Sequence, residues 1–228
     1  MSDLINNLID KLHRSKFLGR IFPTLDHCLQ GELVDCNSVL DIGCGPSSPL
    51  QYCENIEYSV EVEAYKPYLE KSKEKNIHTK YIDSKIEDLN FPNRSFDAVI
   101  MIEVIEHLSK QDGLSILRKA EKWARKKVIV TTPNGFLQQK DIDNNPYQRH
   151  LSGWSLKEMN KTLGFKIYGL AGLKCLRQPR ECDTGEANLL TSIKYWPKLF
   201  WFIIAALSQI FTYHFPYLAF ELFCVKEL

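Results

Sequence analysis

Apolar positions along the chain follow two alternating rhythms. Short runs at residues 39–42, 58–62, 79–83, 96–102, 127–132 and 165–170 have the length and β-branched content of strands. Between them, residues 48–54, 68–75 and 155–163 carry helical spacing, and Leu114, Leu117, Ala120 and Ala124 mark one buried helical stripe. Ser155 with Glu158 three places on has the form of a capping box. The run 96–102 is almost continuously apolar, as expected of a strand covered on both faces by helices. Strand and helix in alternation predict an α/β domain. Ahead of the first strand, Leu4, Ile5, Leu8, Ile9 and Leu12 follow Ser2-Asp3 at helical spacing, and a second helix is expected over 24–30 after Pro23.

The later part of the chain departs from this rhythm. Residues 172–186 read as an irregular insert. After Lys198, no Asp, Glu, Lys or Arg occurs through Phe215. That length approaches the ~20 residues of a bilayer span, but Ser208, Gln209, Thr212 and His214 interrupt it and Pro216 bounds it. A helix over 199–213, too short to span, is the expectation. Its apolar sides should face a neighbour, a membrane surface, a second copy or an oily substrate. Lys174, Arg177, Arg180, Lys194 and Lys198 beside it suit an anionic surface, although Glu181, Asp183 and Glu186 lie among them. Residues 218–225 read as a last strand.

At 228 residues the chain suits one domain with a sizeable core. Its 29 Lys and Arg balance 28 Asp and Glu, which leaves no global basic field for nucleic acid. Seven cysteines without a C-x-x-C pair point to a reducing, cytoplasmic setting rather than a disulfide or zinc framework. Asp3, Asp10, Lys11 and Arg14 interrupt the first apolar residues, so no signal peptide is expected there.

The chemistry concentrates at Asp41-Ile42-Gly43-Cys44-Gly45-Pro46-Ser47-Ser48. A strand ending in an acid meets a turn in which two glycines let the backbone approach a ligand closely. A dinucleotide site wants a third glycine where Ser48 stands, and Pro46 has no N–H to give a pyrophosphate. An acid before the glycines suits an ammonium, and the N–H groups of the turn suit a carboxylate. S-adenosylmethionine carries both. The next acid is expected about twenty residues beyond the glycines, where it can accept both ribose hydroxyls. Glu61 and Glu63 compete for that place.

With Val62-Glu63-Ala64-Tyr65-Lys66-Pro67-Tyr68, Glu87-Asp88-Leu89-Asn90-Phe91-Pro92, Ser95-Phe96-Asp97-Ala98-Val99-Ile100 and Val104-Ile105-Glu106-His107-Leu108, the chain resembles the class I S-adenosylmethionine-dependent methyltransferases. The likeness is to the small single-domain kind related to ubiquinone and menaquinone methyltransferases, and it covers roughly residues 35–170. The resemblance implies a Rossmann-like seven-stranded sheet with helices on both faces and an antiparallel last strand inserted between the fifth and sixth. Residues 1–34 would form a helical cap, 35–170 the cofactor-binding core, 171–216 an insert and 217–226 the last strand. The cofactor-binding set it implies is Asp41, Gly43, Cys44, Gly45, Glu63, Ala64, Asp83, Ile86, Ile102 and Glu103. Glu63 matches the acidic position of the family. Lys85 stands where the family usually has an adenine-binding Asp; Asp83 and the N–H of Ile86 are the substitutes. Glu106-His107 would open a loop near the reacting methyl group.

Residues 136–154 crowd Asp141, Asp143, Asn144, Asn145, Tyr147, Arg149, His150 and Trp154 onto a long loop beyond a strand end, where α/β proteins place substrate contacts. Tyr147, His150 and Trp154 are the acceptor-binding candidates. His107 and His150 are the candidate bases, because an imidazole titrates near neutrality. The six histidines are dispersed, His107 and His150 have no recognised ligand spacing, and no metal site is expected. The leading expectation is transfer of a methyl group to a C, O or N nucleophile of a small, lipophilic acceptor. A dinucleotide-dependent oxidoreductase and a non-catalytic interaction protein on the same fold are the rivals.

Overall fold

The computed structural model describes residues 23–139, 144–178 and 189–228, with Gly19 and Ile21. The helix expected over 4–12, and Asp141, Asp143, Arg180, Glu181, Cys182, Asp183 and Glu186, lie outside the described residues.

Seven strands form one sheet: β1 (Ser38–Ile42), β2 (Tyr58–Glu63), β3 (Lys80–Asp83), β4 (Phe96–Ile102), β5 (Ala124–Pro133), β6 (Lys166–Leu173) and β7 (Ala219–Glu227). Their order is β3-β2-β1-β4-β5-β7-β6. The first five strands pair in parallel, whereas β7 runs antiparallel to both β5 and β6. This is the expected topology. The order reverses at β1, and the crevice outside the ends of β1 and β4 is where such sheets bind ligands.

Alternate residues of the strands feed separate cores on the two faces. Leu40, Ile42, Val99 and Met101 pack with Ile116, Leu117 and Trp123 of helix α3 (Lys110–Trp123). Val39, Ala98 and Ile100 pack with Cys28 and Leu29 of α1 (Leu25–Glu32) on the other face. Helix α2 (Lys66–Lys75) opens with Pro67 in its first turn and stops at Asn76, whose left-handed backbone ends it. At the opposite end of the sheet from the crevice, Asp97 accepts hydrogen bonds from the N–H of Asn37 (2.9 Å), the N–H of Ser38 (3.2 Å) and Arg125 Nε (2.9 Å). This clamp ties the starts of β1, β4 and β5 together.

Two expected helices are shorter than their patterns suggested. Residues 48–54 make one tight turn, Pro49–Tyr52, because Ser48 caps it at the N–H of Leu50 and the backbone is extended again by Cys53. Residues 155–163 close in a single wide turn, Glu158–Thr162. Helix α4 (Lys198–His214) matches the expected apolar helix and lies on β6 at backbone distance. A Cβ on Gly169 would stand 2.2 Å from the Thr212 carbonyl oxygen, so only glycine admits that approach. The buried Gln209 amide donates to the Gly169 carbonyl (2.9 Å) and accepts from the Gly172 N–H (2.8 Å). The other side of α4 leaves Phe200, Ile203, Leu207, Ile210 and Phe211 exposed. Among the described residues no helix is long and apolar enough to cross a membrane.

Candidate active site

A cavity opens beyond the ends of β1, β2 and β4. It is lined by Gly43, Glu63, Ala64, Lys85, Ile86 and Glu103, and on its far side by His107, Leu108 and Tyr147. The glycine turn is built for close approach. Gly43 has φ +70° and donates its N–H to the Val62 carbonyl at 2.7 Å; Gly45 has φ +67°. Glu63 accepts from the N–H of Gly45 (3.0 Å) and of Tyr65 (2.7 Å), which fixes its carboxylate at the cavity wall. Burial raises its acid above the usual range, and the N–H groups of Tyr65, Gly45 and Ala64 oppose the rise.

Several sequence candidates stand elsewhere. Asp41 does not line the cavity: its side chain is buried and accepts the Ser48 hydroxyl at 2.5 Å, so it is not positioned to pair directly with a ligand ammonium. Burial raises its carboxyl to about 7; Ser48 lowers it, and Glu61 and Glu63 add to the rise. The pairing of Asp41 with Glu61 across β1 and β2 puts both on one face, with His78 Nε2 3.5 Å from each. Glu61 also accepts the Ser72 hydroxyl. Cys44 turns toward the same buried group, its Sγ 3.8 Å from Ser72 Oγ. Asp83 and Ile102 lie outside the cavity lining, and Gly45 contributes through its bond to Glu63. At the position of the missing adenine-binding acid, Lys85 and Ile86 themselves line the wall.

The acceptor loop shows one correction. Trp154 is fully buried, packed on Gly113 of α3, with its Nε1 donating to the Ile105 carbonyl at 3.2 Å. It braces the loop and cannot touch an acceptor. Lys110 Nζ lies 3.5 Å above its ring and donates to the Gly153 carbonyl, which closes the brace. The loop is then stapled to the end of β4: the N–H groups of Leu151 and Ser152 both donate to the Glu106 carbonyl, at 2.8 and 3.0 Å. This staple brings His150 beside His107, ring centroids 4.7 Å apart. Tyr147 lines the cavity and is partly exposed; His150 sits behind His107 and is buried.

Both rings are weak bases here. Burial lowers His107 to about 4, His150 adds to the fall, and the carbonyls of Arg149 and Gln148 oppose it. Burial likewise lowers His150 against the pull of the Leu137 carbonyl. Glu106 is buried as well, and burial raises its acid to about 8 although the nearby Thr132 and Glu103 side chains lower it. One ligand atom each from Glu106, His107 and His150 falls within 4.8 Å of the others. Residue spacing could not show this group, since the loop staple creates it. Val104, Asn145 and Gln148 are further cavity residues that the pattern left unmarked.

Residues 40–131 match the family model of a methyltransferase domain. That span holds the glycine turn, Glu63 and the end of β4, so the likeness to methyltransferases covers the cofactor side of the cavity. The match gives a methyltransferase domain and does not specify the ubiquinone-related subtype. Among solved structures, a SAM-dependent methyltransferase from Archaeoglobus fulgidus aligns with 93% of this chain and 98% of its own at 16% identity and a TM-score of 0.53. The methyltransferase domain of a bacterial CtHen1 protein aligns with 91% of this chain and 100% of its own at 17% identity and a TM-score of 0.53. The PH0226 protein of Pyrococcus horikoshii is 22% identical over 52% of this chain and 58% of that one, with a TM-score of 0.43. No curated protein matches the chain significantly. The first two alignments span more than nine-tenths of this chain, at identities that speak to fold alone.

Proposed function

We propose that this protein is a methyltransferase that holds S-adenosylmethionine between the Gly43–Gly45 turn and Glu63 and methylates a small, lipophilic acceptor that enters past His107 and Tyr147. The observation that carries the reading is a single cavity joining the glycine turn and an acidic β2 end to the histidine loop. The turn fits the cofactor: Gly43 presents bare backbone to the cavity, and a Cβ there would already press on Val104. When bound, the sulfonium supplies an activated methyl group, so the chain needs neither to oxidise nor to acylate the acceptor.

The residues of the chain do the positioning. Glu63, locked by two backbone N–H groups, is the ribose-facing acceptor, and the N–H of Ile86 is a donor for the adenine edge. His107 and Tyr147 shape the acceptor end, and Leu108 contributes an apolar wall. In-line transfer depends on orientation and exclusion of water. The lipophilic part of the reading is supported by α4, whose exposed Phe200, Ile203, Leu207, Ile210 and Phe211 form one apolar stripe with Lys194 and Lys198 at its start. Such a stripe suits a membrane surface where an oily acceptor resides. Helix α4 lines no part of the cavity, so it is no lid over it.

Calorimetry with S-adenosylmethionine, S-adenosylhomocysteine and NADH tests the reading. Micromolar binding of the first two is expected, with affinity falling about tenfold or more in Glu63→Gln as the ribose loses a charged acceptor. Binding of NADH alone would establish the oxidoreductase rival. No binding of any of the three would leave the interaction-protein rival.

A further inference from the structure

Among the described residues two groups of ligand-type side chains lie close together, and the one at the histidine loop has the make-up of a cation site. Glu106 is 1% exposed, yet neither of its carboxylate oxygens meets hydrogen-bond geometry with any partner. A buried carboxyl whose two oxygens have no partner is a group that a bound ion can engage. The two rings beside it are oriented as ligands are. His150 Nδ1 lies 2.6 Å from the Leu137 carbonyl and His107 Nδ1 lies 3.3 Å from the Arg149 carbonyl. A carbonyl can only accept, so each Nδ1 carries the proton and each ring keeps a lone pair at Nε2. This is the outer-shell arrangement that fixes the tautomer of metal-binding histidines.

We infer that Glu106, His107 and His150 bind a divalent transition-metal cation whose open positions face the acceptor end of the cavity. Two imidazoles and a carboxylate suit Zn2+, Co2+ or Mn2+ and leave further positions for exogenous ligands. His107 lines the cavity while Glu106 and His150 stand behind it, so the ion would border the acceptor and not the glycine turn. Resting on the methyltransferase reading, this selects among its nucleophiles. The acceptor atom is a hydroxyl oxygen, because a bound cation lowers the pKa of a coordinated O–H far more usefully than that of an amine it would block. The step balances without a redox partner. The hydroxyl proton leaves to water, an oxygen lone pair forms the bond to the methyl carbon, and the carbon–sulfur bond breaks with its electron pair staying on sulfur. The products are a methyl ether, a thioether and one proton.

The second buried group, Asp41, Cys44 and His78, also places ligand atoms within 4.8 Å of one another. It includes a thiolate donor and the first does not, so Co2+ distinguishes the two by colour. Chelator-treated protein is titrated with Co2+ and read by visible absorption and by metal content after dialysis, with S-adenosylhomocysteine calorimetry on the same samples. About one equivalent of Co2+ with d–d bands and no thiolate charge-transfer band is expected. Affinity should fall about a hundredfold in His107→Ala and in His150→Ala and at least tenfold in Glu106→Gln. Retained S-adenosylhomocysteine binding shows that each variant is folded. Wild-type protein that binds S-adenosylhomocysteine but no Co2+ overturns the cation site and leaves the methyltransferase reading standing. So does Co2+ binding that survives all three variants, or that carries a charge-transfer band lost in Cys44→Ser. Protein that takes up Co2+ as expected but no S-adenosylhomocysteine keeps the cation site and removes the methyl-transfer reading.

Discussion

Gly43→Ala asks whether the glycine turn is shaped by the ligand or by the fold. The added methyl meets two obstacles of different kinds. Gly43 has φ +70°, and a left-handed alanine costs about 1–2 kcal/mol. Its Cβ would also stand 2.9 Å from Val104 Cγ2 and 3.2 Å from Cγ1, and Val104 is itself buried between the turn and the cavity. Overpacking of that kind costs about 1–3 kcal/mol. The sum is a destabilisation of about 2–5 kcal/mol, followed by urea unfolding with tryptophan fluorescence. In a Val104→Ala background the methyl–methyl contact is gone and only the backbone term remains. The double-mutant cycle should therefore show a coupling of about 1–3 kcal/mol. S-adenosylhomocysteine affinity should fall about tenfold or more in Gly43→Ala, since the methyl is added on the cavity lining. Additive stabilities, or an affinity unchanged within about twofold, would refute the claim that this turn presents bare backbone to a ligand.

The clamp at the other end of the sheet gives an acid-stability signature. Burial raises the Asp97 carboxyl, but the hydrogen bond from Arg125, the N–H groups of Asn37 and Ser38 and the Arg125 charge outweigh it and hold the group at about 2. A folded-state value below the unfolded one contributes stability that is complete above about pH 4 and lost as pH falls toward 2. Since Arg125 is partly exposed, about 1–2 kcal/mol is expected rather than the full linkage value. Urea unfolding should show wild type losing that amount relative to Asp97→Asn between about pH 5 and about pH 2.5. The stripe on α4 predicts sedimentation with vesicles containing anionic lipid, lost when Phe200, Ile203 and Leu207 are replaced together by Ser; equal pelleting of that variant would disprove the surface role.

The fold was legible because its information is periodic. Buried strands such as β4 announce themselves as apolar runs, and the α/β rhythm with one glycine turn restricts the topology to very few arrangements. The wall of the cavity was legible in part by position: Glu63 ends β2 at the crevice, whereas Glu61, two residues earlier on the same face, lies beside Asp41 and accepts the Ser72 hydroxyl. What pattern could not give was the direction of a side chain after a chain reversal. Asp41 looked like a ligand group because it precedes the glycines, yet the Ser48 hydroxyl seven residues on turns it inward. Trp154 looked like an aromatic contact on a polar loop, but Gly113 leaves a slot on α3 into which it sinks. The meeting of His150 with His107 depends on two N–H groups converging on one carbonyl of Glu106, a tertiary contact with no local signature.

The place of β7 in the sheet bears on how the molecule is assembled. It is the last strand in sequence and lies between β5 and β6, pairing along nearly its whole length with both. Until residues 219–227 slot in, β5 ends the parallel half with an open edge and the glycine-bearing β6 has no partner strand. Nascent or partly opened chains therefore expose two unpaired edges at once, one of them flanked by the oily α4. Such edges recruit other chains. Completion of the sheet and protection from aggregation are the same event in this protein, and that event waits on the final segment to be threaded home.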